Sequence, residues 1–235
     1  MRGYFFIADI LGFRNIIKNT PKAKVSSRIS EWITLVETAA KKYSIKKYSL
    51  LSDTLFVAVP SNPKNFENII LMGKYLLEKG VLKSIPIRGA ITHGNFEWGN
   101  LVYGKPVIEA HDIEKNQNWI GITCSVKIPK ANLQWGEDKL ICYSPPMKTG
   151  TATFHPVVSW DVPTYKILSN LLVKNGLVPK GMKKKISYEW IDRIDNTIKF
   201  HIYKKAIKKN NLSFDKMHGI SSIAYLENFM EKEKF

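Results

Sequence analysis

The stretch Tyr4-Phe5-Phe6-Ile7-Ala8-Asp9-Ile10-Leu11-Gly12-Phe13 decides how this chain is read. Residues 3–8 are apolar without alternation, the pattern of a strand buried on both faces, and Asp9 to Gly12 read as its exit turn. Asp9 breaks the run. A carboxylate beside a buried strand is costly unless it is paired, hydrogen-bonded or on a metal. The same kind of break recurs at Asp53, between Tyr48-Ser49-Leu50-Leu51 and Leu55-Phe56-Val57-Ala58-Val59. Two carboxylates at the ends of neighbouring strands are suitable donors for a divalent cation that also holds phosphates. Asp9 and Asp53 are therefore candidate metal ligands. Taken singly, Asp9 equally fits a turn or helix N-cap, and Asp53 a hairpin turn.

Working outward, Ile29, Trp32, Ile33, Val36 and Ala39–Ala40 recur at helical spacing, which predicts a helix near 26–43. Residues 47–51 and 54–59 read as two strands joined tightly at Ser52-Asp53. A helix runs from a cap at Asn62 or Asn65 to Lys79, with Gly80 as its stop. A strand over 85–92, a turn bracketed by Gly94 and Gly99, a helix over 104–116 and a strand over 120–125 follow. The order β-α-β-β-α-β indicates an α+β fold with a ferredoxin-like core. That architecture serves many unrelated functions, so it names none. Beyond 145 the expectations are strand and turn at 157–163, helices at 165–174 and 221–232, and mixed structure at 186–207. The chain is thus divided into a core, 1–145, and a C-terminal α/β extension, 146–235, packed on it or part of the same domain.

Composition narrows the class. With 235 residues, 44% hydrophobic and 24% charged, the chain has the make-up of an ordinary globular protein. Its apolar runs are strand-sized, so no membrane span is expected. The N-terminal run meets an aspartate early and lacks a small-residue cleavage site, unlike a signal peptide. Cys124 and Cys142 have no metal-ligand spacing and suit a reduced, cytoplasmic setting. The net charge of +16 is spread over both halves, with lysines densest at 183–185, 204–205 and 208–209. It reads either as attraction for polyanions or as a lysine-rich solvated surface.

Three segments together resemble the class III nucleotidyl cyclases over about residues 4–125. Phe6-Ile7-Ala8-Asp9-Ile10-Leu11-Gly12-Phe13 is similar to their first metal-binding strand. Leu51-Ser52-Asp53-Thr54-Leu55-Phe56 resembles their hairpin with the second metal aspartate. Arg88-Gly89-Ala90-Ile91-Thr92-His93-Gly94, then Gly104-Lys105-Pro106-Val107-Ile108-Glu109-Ala110, resembles their next strand and the helix after it. The resemblance implies in-line attack of a ribose 3′-OH on its own α-phosphate, with pyrophosphate leaving. It implies two Mn²⁺ or Mg²⁺ ions per site, ~3.5–4 Å apart. Their ligands would be Asp9, Asp53 and the backbone carbonyl of Ile10. Charge on the transferring phosphorus calls for Arg or Lys.

Departures from the family pattern point to the base. Purine-selective members carry a charged or polar base reader four residues before the second aspartate, which is Ser49 here. Their second reader falls at Leu101. The family's ribose Asn and transition-state Arg fall at Ile108 and Asp112, and a carboxylate cannot stabilise a phosphorane as a guanidinium does. An adenylate or guanylate cyclase is therefore not expected. The segment from Gly104 through Ile113-Glu114-Lys115-Asn116-Gln117-Asn118-Trp119-Ile120-Gly121-Ile122 resembles the pyrimidine cyclases of the Pycsar anti-phage system. That implies a uridylate or cytidylate cyclase making cyclic UMP from UTP, or cyclic CMP from CTP. The product would act on a separate cyclic-nucleotide-activated effector. Tyr48, Ser49 and Arg88 are the candidates for base and phosphate contacts, with Arg88 also in the catalytic set. Tyr48 equally fits a half-buried strand position, and Arg88 a salt bridge to Glu109 or Asp112. The family further implies a homodimer with sites at a two-fold interface. Two alternatives stand beside this expectation. One is a catalytically silent nucleotide sensor, suggested by Ile108 and Asp112. The other is a nucleic-acid-binding module, suggested by the charge, although no RNP-like motif or basic recognition helix is present.

Overall fold

The computed structural model describes residues 1–19, 22–129, 133, 139–150, 153–174 and 188–209. The helix expected at 221–232 and the lysines at 183–185 lie outside these residues. The chain begins with β1 (Arg2–Ile10), then two helices, α1 (Phe13–Asn19) and α2 (Lys22–Lys42). A hairpin follows, β2 (Tyr48–Leu51) and β3 (Thr54–Pro60), and then α3 (Pro63–Leu82) and β4 (Ile87–Asn95). A small ribbon, β5 (Glu97–Trp98) with β6 (Val102–Tyr103), leads to α4 (Lys105–Asn116) and β7 (Gly121–Cys124). Then come β8 (Leu140–Tyr143), β9 (His155–Val158), α5 (Tyr165–Lys174) and α6 (Tyr188–Lys209).

The first four strands lie in the order β4-β1-β3-β2, antiparallel throughout, which is the ferredoxin-like arrangement. The sheet then continues past β4. β7 pairs parallel to β4, and the connection through α4 is the crossover that a parallel neighbour requires. β9 pairs antiparallel to β7 and β8 to β9, giving seven strands among the described residues. A boundary at 145 therefore falls between two strands that pair with each other.

Alternation along β1 sorts the two faces. Tyr4, Phe6, Ala8 and Ile10 meet Trp32, Val36 and Ala39 of α2 and Phe66, Ile70 and Leu77 of α3 in the main core. Phe5 and Ile7 turn to the other face, where α4 covers them through Ala110. Asp9 has the same parity as Phe5 and Ile7 and so shares the α4 side of the sheet. Among the described residues, the helix that covers the site's face is α4.

Helix ends follow local chemistry. Asn62 caps α3 by accepting from the Asn65 N–H at 2.8 Å, with Pro63 at the first helical position. Gly80 does not end this helix, which runs on to Leu82. A Cβ on Gly80 would lie 2.5 Å from the Ile85 carbonyl oxygen, so close backbone approach is what glycine permits there. At α4, Gly104 adopts φ +145° as the N-cap, a conformation that favours glycine, and Pro106 follows in the first turn.

Among the described residues past 145, regular structure exceeds what the sequence pattern suggests. Residues 188–207, expected as mixed structure, lie in one 22-residue helix, α6. Its buried stripe includes Trp190, Ile194, Phe200 and Ile207, but also Thr197, His201 and Lys204, and these polar members obscure the apolar period. Two of them are tied into the fold by hydrogen bonds: Thr197 accepts the Ile120 N–H at 2.9 Å, and Lys204 donates to the Trp160 carbonyl at 2.8 Å. Both cysteines are buried, and among the described residues no helix is long and apolar enough to cross a membrane.

Candidate active site

Register builds the site. Asp9 stands opposite Thr54 on β3 and opposite Arg88 on β4. The hairpin turn after β2, with Ser52 at φ +60°, sets Asp53 beside the start of β3. The Asp9 and Asp53 carboxyl groups come within hydrogen-bonding reach of each other, and Thr54 Oγ1 donates to Asp9 Oδ1 at 3.4 Å. A groove of about 640 Å³ opens over Asp9, Thr54, Arg88 and Glu114. Its apolar walls are Ile7 and Phe56 from the sheet and Val107 and Ile108 from α4.

Burial dominates the electrostatics of Asp9, and crowding of negative charge adds to it. Burial pushes the Asp9 carboxyl up from its ordinary value near 3.8 to about 7. Repulsion from Asp53, a hydrogen bond shared with it, and repulsion from Glu114 act in the same direction, and Arg88 opposes them only in part. Two neighbouring carboxylates, with Asp9 held back from ionising, form an environment that a divalent cation relieves, so the donor chemistry fits Mn²⁺ or Mg²⁺. Among the described residues no group of three or more His, Cys, Asp or Glu side chains is arranged to hold a metal. Ile10, expected as a backbone ligand, buries its side chain in the main core, leaving only its main chain to take part.

The structure brings Asp9, Asp53 and Arg88 together, and it corrects two expectations. Arg88, 8% exposed, pairs with neither Glu109 nor Asp112. Its Nε–H donates to Glu114 Oε1 at 2.5 Å and its Nη1 to the Gln117 carbonyl at 3.2 Å. The guanidinium reaches the groove already held by the protein, because a buried cation needs an internal partner. Tyr48 is the second correction. It pairs with Val57 and packs against the main core on the α2 and α3 face, away from Asp9. Its neighbour Ser49, opposite Phe56, is exposed on the groove side. Period-two alternation separates two residues that adjacency in sequence had joined.

Sequence reasoning passed over Glu114 and Gln117. Glu114 is 5% exposed, on the inward stripe Pro106, Ala110, Glu114 of α4. A charge at i+8 on an apolar stripe was the available signal, since it requires a buried counter-charge. Gln117 is fully buried: its amide donates to the Gly89 carbonyl at 2.9 Å, and its oxygen accepts from Trp119 Nε1 and Thr123 Oγ1. Leu101 and Ile108, at 70% and 64% exposure, leave apolar surface open on and before α4, and Asp112 faces solvent beside His111.

No family model and no curated protein matches the sequence. Solved structures do. The guanylyl cyclase domain of the RhoGC fusion protein from the aquatic fungus Blastocladiella emersonii is similar, with TM-score 0.52 and 16% identity over 67% of this chain and 94% of that one. The catalytic core of a rhodopsin-guanylyl cyclase with converted specificity, in complex with ATPalphaS, gives TM-score 0.53 and 14% identity over 67% and 95%. A bacterial light-regulated adenylyl cyclase gives TM-score 0.51 and 11% identity over 74% and 97%. The chain therefore has the α+β fold of class III nucleotidyl cyclase catalytic domains.

Proposed function

We propose that this chain is a pyrimidine nucleotide cyclase, converting UTP, or CTP, to the 3′,5′-cyclic monophosphate and pyrophosphate. The observation that carries the reading is the Asp9–Asp53 pair at the end of adjacent strands, under a groove large enough for a nucleotide. Asp9, Asp53 and the Ile10 carbonyl are the proposed ligands of two Mn²⁺ or Mg²⁺ ions, which would acidify the 3′-OH and neutralise the triphosphate. Arg88 supplies fixed positive charge beside Asp9, and its partners Glu114 and Gln117 keep it from reorganising. The apolar walls exclude water from one side of the reacting groups.

Base choice rests on the sheet edge. Ser49 is small, exposed on the groove side, and can donate or accept, which suits the carbonyl and amino edges of a pyrimidine. The purine readers of the fold are absent at Ser49 and Leu101. Exposed Leu51, Leu101, Tyr103 and Ile108 offer apolar surface for a second copy that would complete the site as a homodimer. The proposed product is a cytoplasmic second messenger in anti-phage defence, acting on a separate effector.

Incubation of the chain with each of the four NTPs and Mn²⁺ tests this. Cyclic UMP or cyclic CMP from wild type, and none from Asp9→Ala, is expected; no cyclic pyrimidine product refutes it. A silent nucleotide sensor is favoured by one observation, the exposed Ile108 and Asp112 where the family places Asn and Arg. It predicts thermal stabilisation by nucleotide with no pyrophosphate release.

A further inference from the structure

Where α4 ends, its last carbonyls have no intrahelical donor and must find other partners. Three in succession are satisfied from outside the helix. The Lys115 carbonyl accepts from Lys148 Nζ at 3.0 Å, the Asn116 carbonyl from the Lys148 N–H at 2.7 Å, and the Gln117 carbonyl from Arg88 Nη1 at 3.2 Å. Both Lys148 bonds come from residues 146–149, which follow β8. This segment grips the helix end at further points. The Asn118 N–H donates to the Pro146 carbonyl at 2.8 Å. The Asn116 side chain bonds Thr149 three times, donating to its carbonyl at 2.8 Å and accepting from its N–H and its Oγ1, each at 3.0 Å.

Gln117 and Met147 face each other as an isolated antiparallel bridge, and the main-chain bonds to 146–149 are made by the residues on either side, Asn116 and Asn118. Along extended backbone, successive residues direct their N–H and C=O to opposite sides. A residue whose two neighbours bond the segment therefore turns its own carbonyl away from it. Gln117, at φ −65° and ψ 142°, is extended, and its carbonyl accordingly meets Arg88 on β4. Its side chain is fixed as well, the amide donating at 2.9 Å to the carbonyl of Gly89, next to Arg88. From α6, Asn196 donates to the Asn118 carbonyl at 2.9 Å and secures the same stretch. Both acceptors that hold the guanidinium, Glu114 Oε1 and the Gln117 carbonyl, thus stand at the end of one helix. A shift of that helix end moves both at once.

We propose that residues 146–149 position Arg88 for the cyclisation, with Asn116 and Thr149 as positioning residues that act through the Gln117 carbonyl and Glu114. What Arg88 does in the groove rests on the cyclase reading; what holds it there rests on these bonds. Arg88 lines the groove opposite Asp9, and a charge that stabilises a transition state must stand in place before the reaction begins. An arginine side chain has many rotamers, and two acceptors held at a fixed spacing remove that freedom. The chain beyond 145 thereby gains a task at a groove whose walls all come from residues before it.

The test is Asn116→Ala in the full chain. Asn116 is half-buried and its bonds to Thr149 are exposed, so the change strands no buried group. Exchange of the Arg88 Nε–H with solvent is followed by NMR, without nucleotide or metal. In wild type this proton should exchange slowly, since Arg88 is buried and bonded to Glu114. In Asn116→Ala its exchange should quicken about tenfold, while β1 amides paired with β3 keep their protection. Asn116→Asp keeps the oxygen that accepts from Thr149 and should stay close to the wild-type rate. With UTP or CTP and Mn²⁺, Asn116→Ala should lose about tenfold in kcat with KM nearly unchanged. Unaltered Arg88 exchange overturns the proposal, as does equal quickening of the β1 amides or an unaltered kcat. If Asn116→Ala does not fold, Thr149→Val, which removes the hydroxyl donor, takes its place with changes in the same direction expected. Exchange needs no turnover, so a chain inactive on every nucleotide refutes the cyclase reading, while the exchange rates alone decide whether 146–149 hold Arg88.

Discussion

Replacing Asp9 by Asn should make the metal-free protein more stable at alkaline pH. In the folded chain the Asp9 carboxyl titrates near 7, against 3.8 for an ordinary aspartate, because burial, Asp53 and Glu114 all oppose its ionisation. At 1.36 kcal/mol for each tenfold change in proton affinity, ionised Asp9 destabilises the fold by at most about 4 kcal/mol. The sign follows from proton binding. Between about pH 4 and pH 7 the unfolded chain has released this proton and the folded chain retains it, so stability falls as pH rises and levels off above 7. An Asn of nearly the same shape cannot ionise and escapes the loss. Relief of half the ceiling, about 2 kcal/mol, raises Tm by about 4–8 °C for a chain of this size. Thermal melts in EDTA at pH 5.5 and 8.5 make the comparison. Wild type should lose stability between the two, Asp9→Asn should lose less, and Mn²⁺ should restore wild type alone. If both proteins show the same pH dependence, or the variant melts lower at pH 8.5, the crowded-carboxylate argument fails.

Two further outcomes follow from partners buried in the fold. Glu114→Gln removes the charge that holds Arg88, so the proposed cyclisation should slow at least tenfold in kcat with KM nearly unchanged. Its acidic pH limb should also move to lower pH, since a repulsive neighbour of Asp9 is gone. Loss of thermal stability without that pH shift would reduce Glu114 to a structural role. Lys204→Met keeps the apolar stem but strands the Trp160 carbonyl, and should cost about 1–3 kcal/mol in denaturant unfolding. The abandoned Asp161 side chain is mostly exposed, which keeps the loss below the 3–5 kcal/mol or so of a fully buried broken pair.

The elements legible in sequence share one property: a single period of side chains explains them. β1 is a continuous apolar run, α3 an apolar stripe with an Asn cap, and the β2–β3 hairpin two short runs around a tight turn. α6 escaped because its inward face mixes Trp190 and Phe200 with Thr197, His201 and Lys204, whose partners lie on distant strands and loops. β8, expected nowhere, is a four-residue edge strand stabilised by pairing with β9. Its identity as a strand comes from that partner more than from its own composition.

At the site, the two interrupting aspartates stood out in the primary structure because a charge inside an apolar run announces its own energetic problem. What answers that problem could not be read locally. Asp9 meets Asp53 and Arg88 only through pairing of β1 with β3 and β4, and Arg88 meets Glu114 only because α4 crosses that face. Likewise, Tyr48 and Ser49 are adjacent in the chain, yet the register of β2 against β3 packs one against the core and leaves the other exposed on the opposite face. Local patterning thus determined which residues had to be strand, helix or buried anomaly. Long-range pairing alone decided which charges face one another, since Coulomb and hydrogen-bond energies depend on separation in space, and folding brings residues 9, 53, 88 and 114 together.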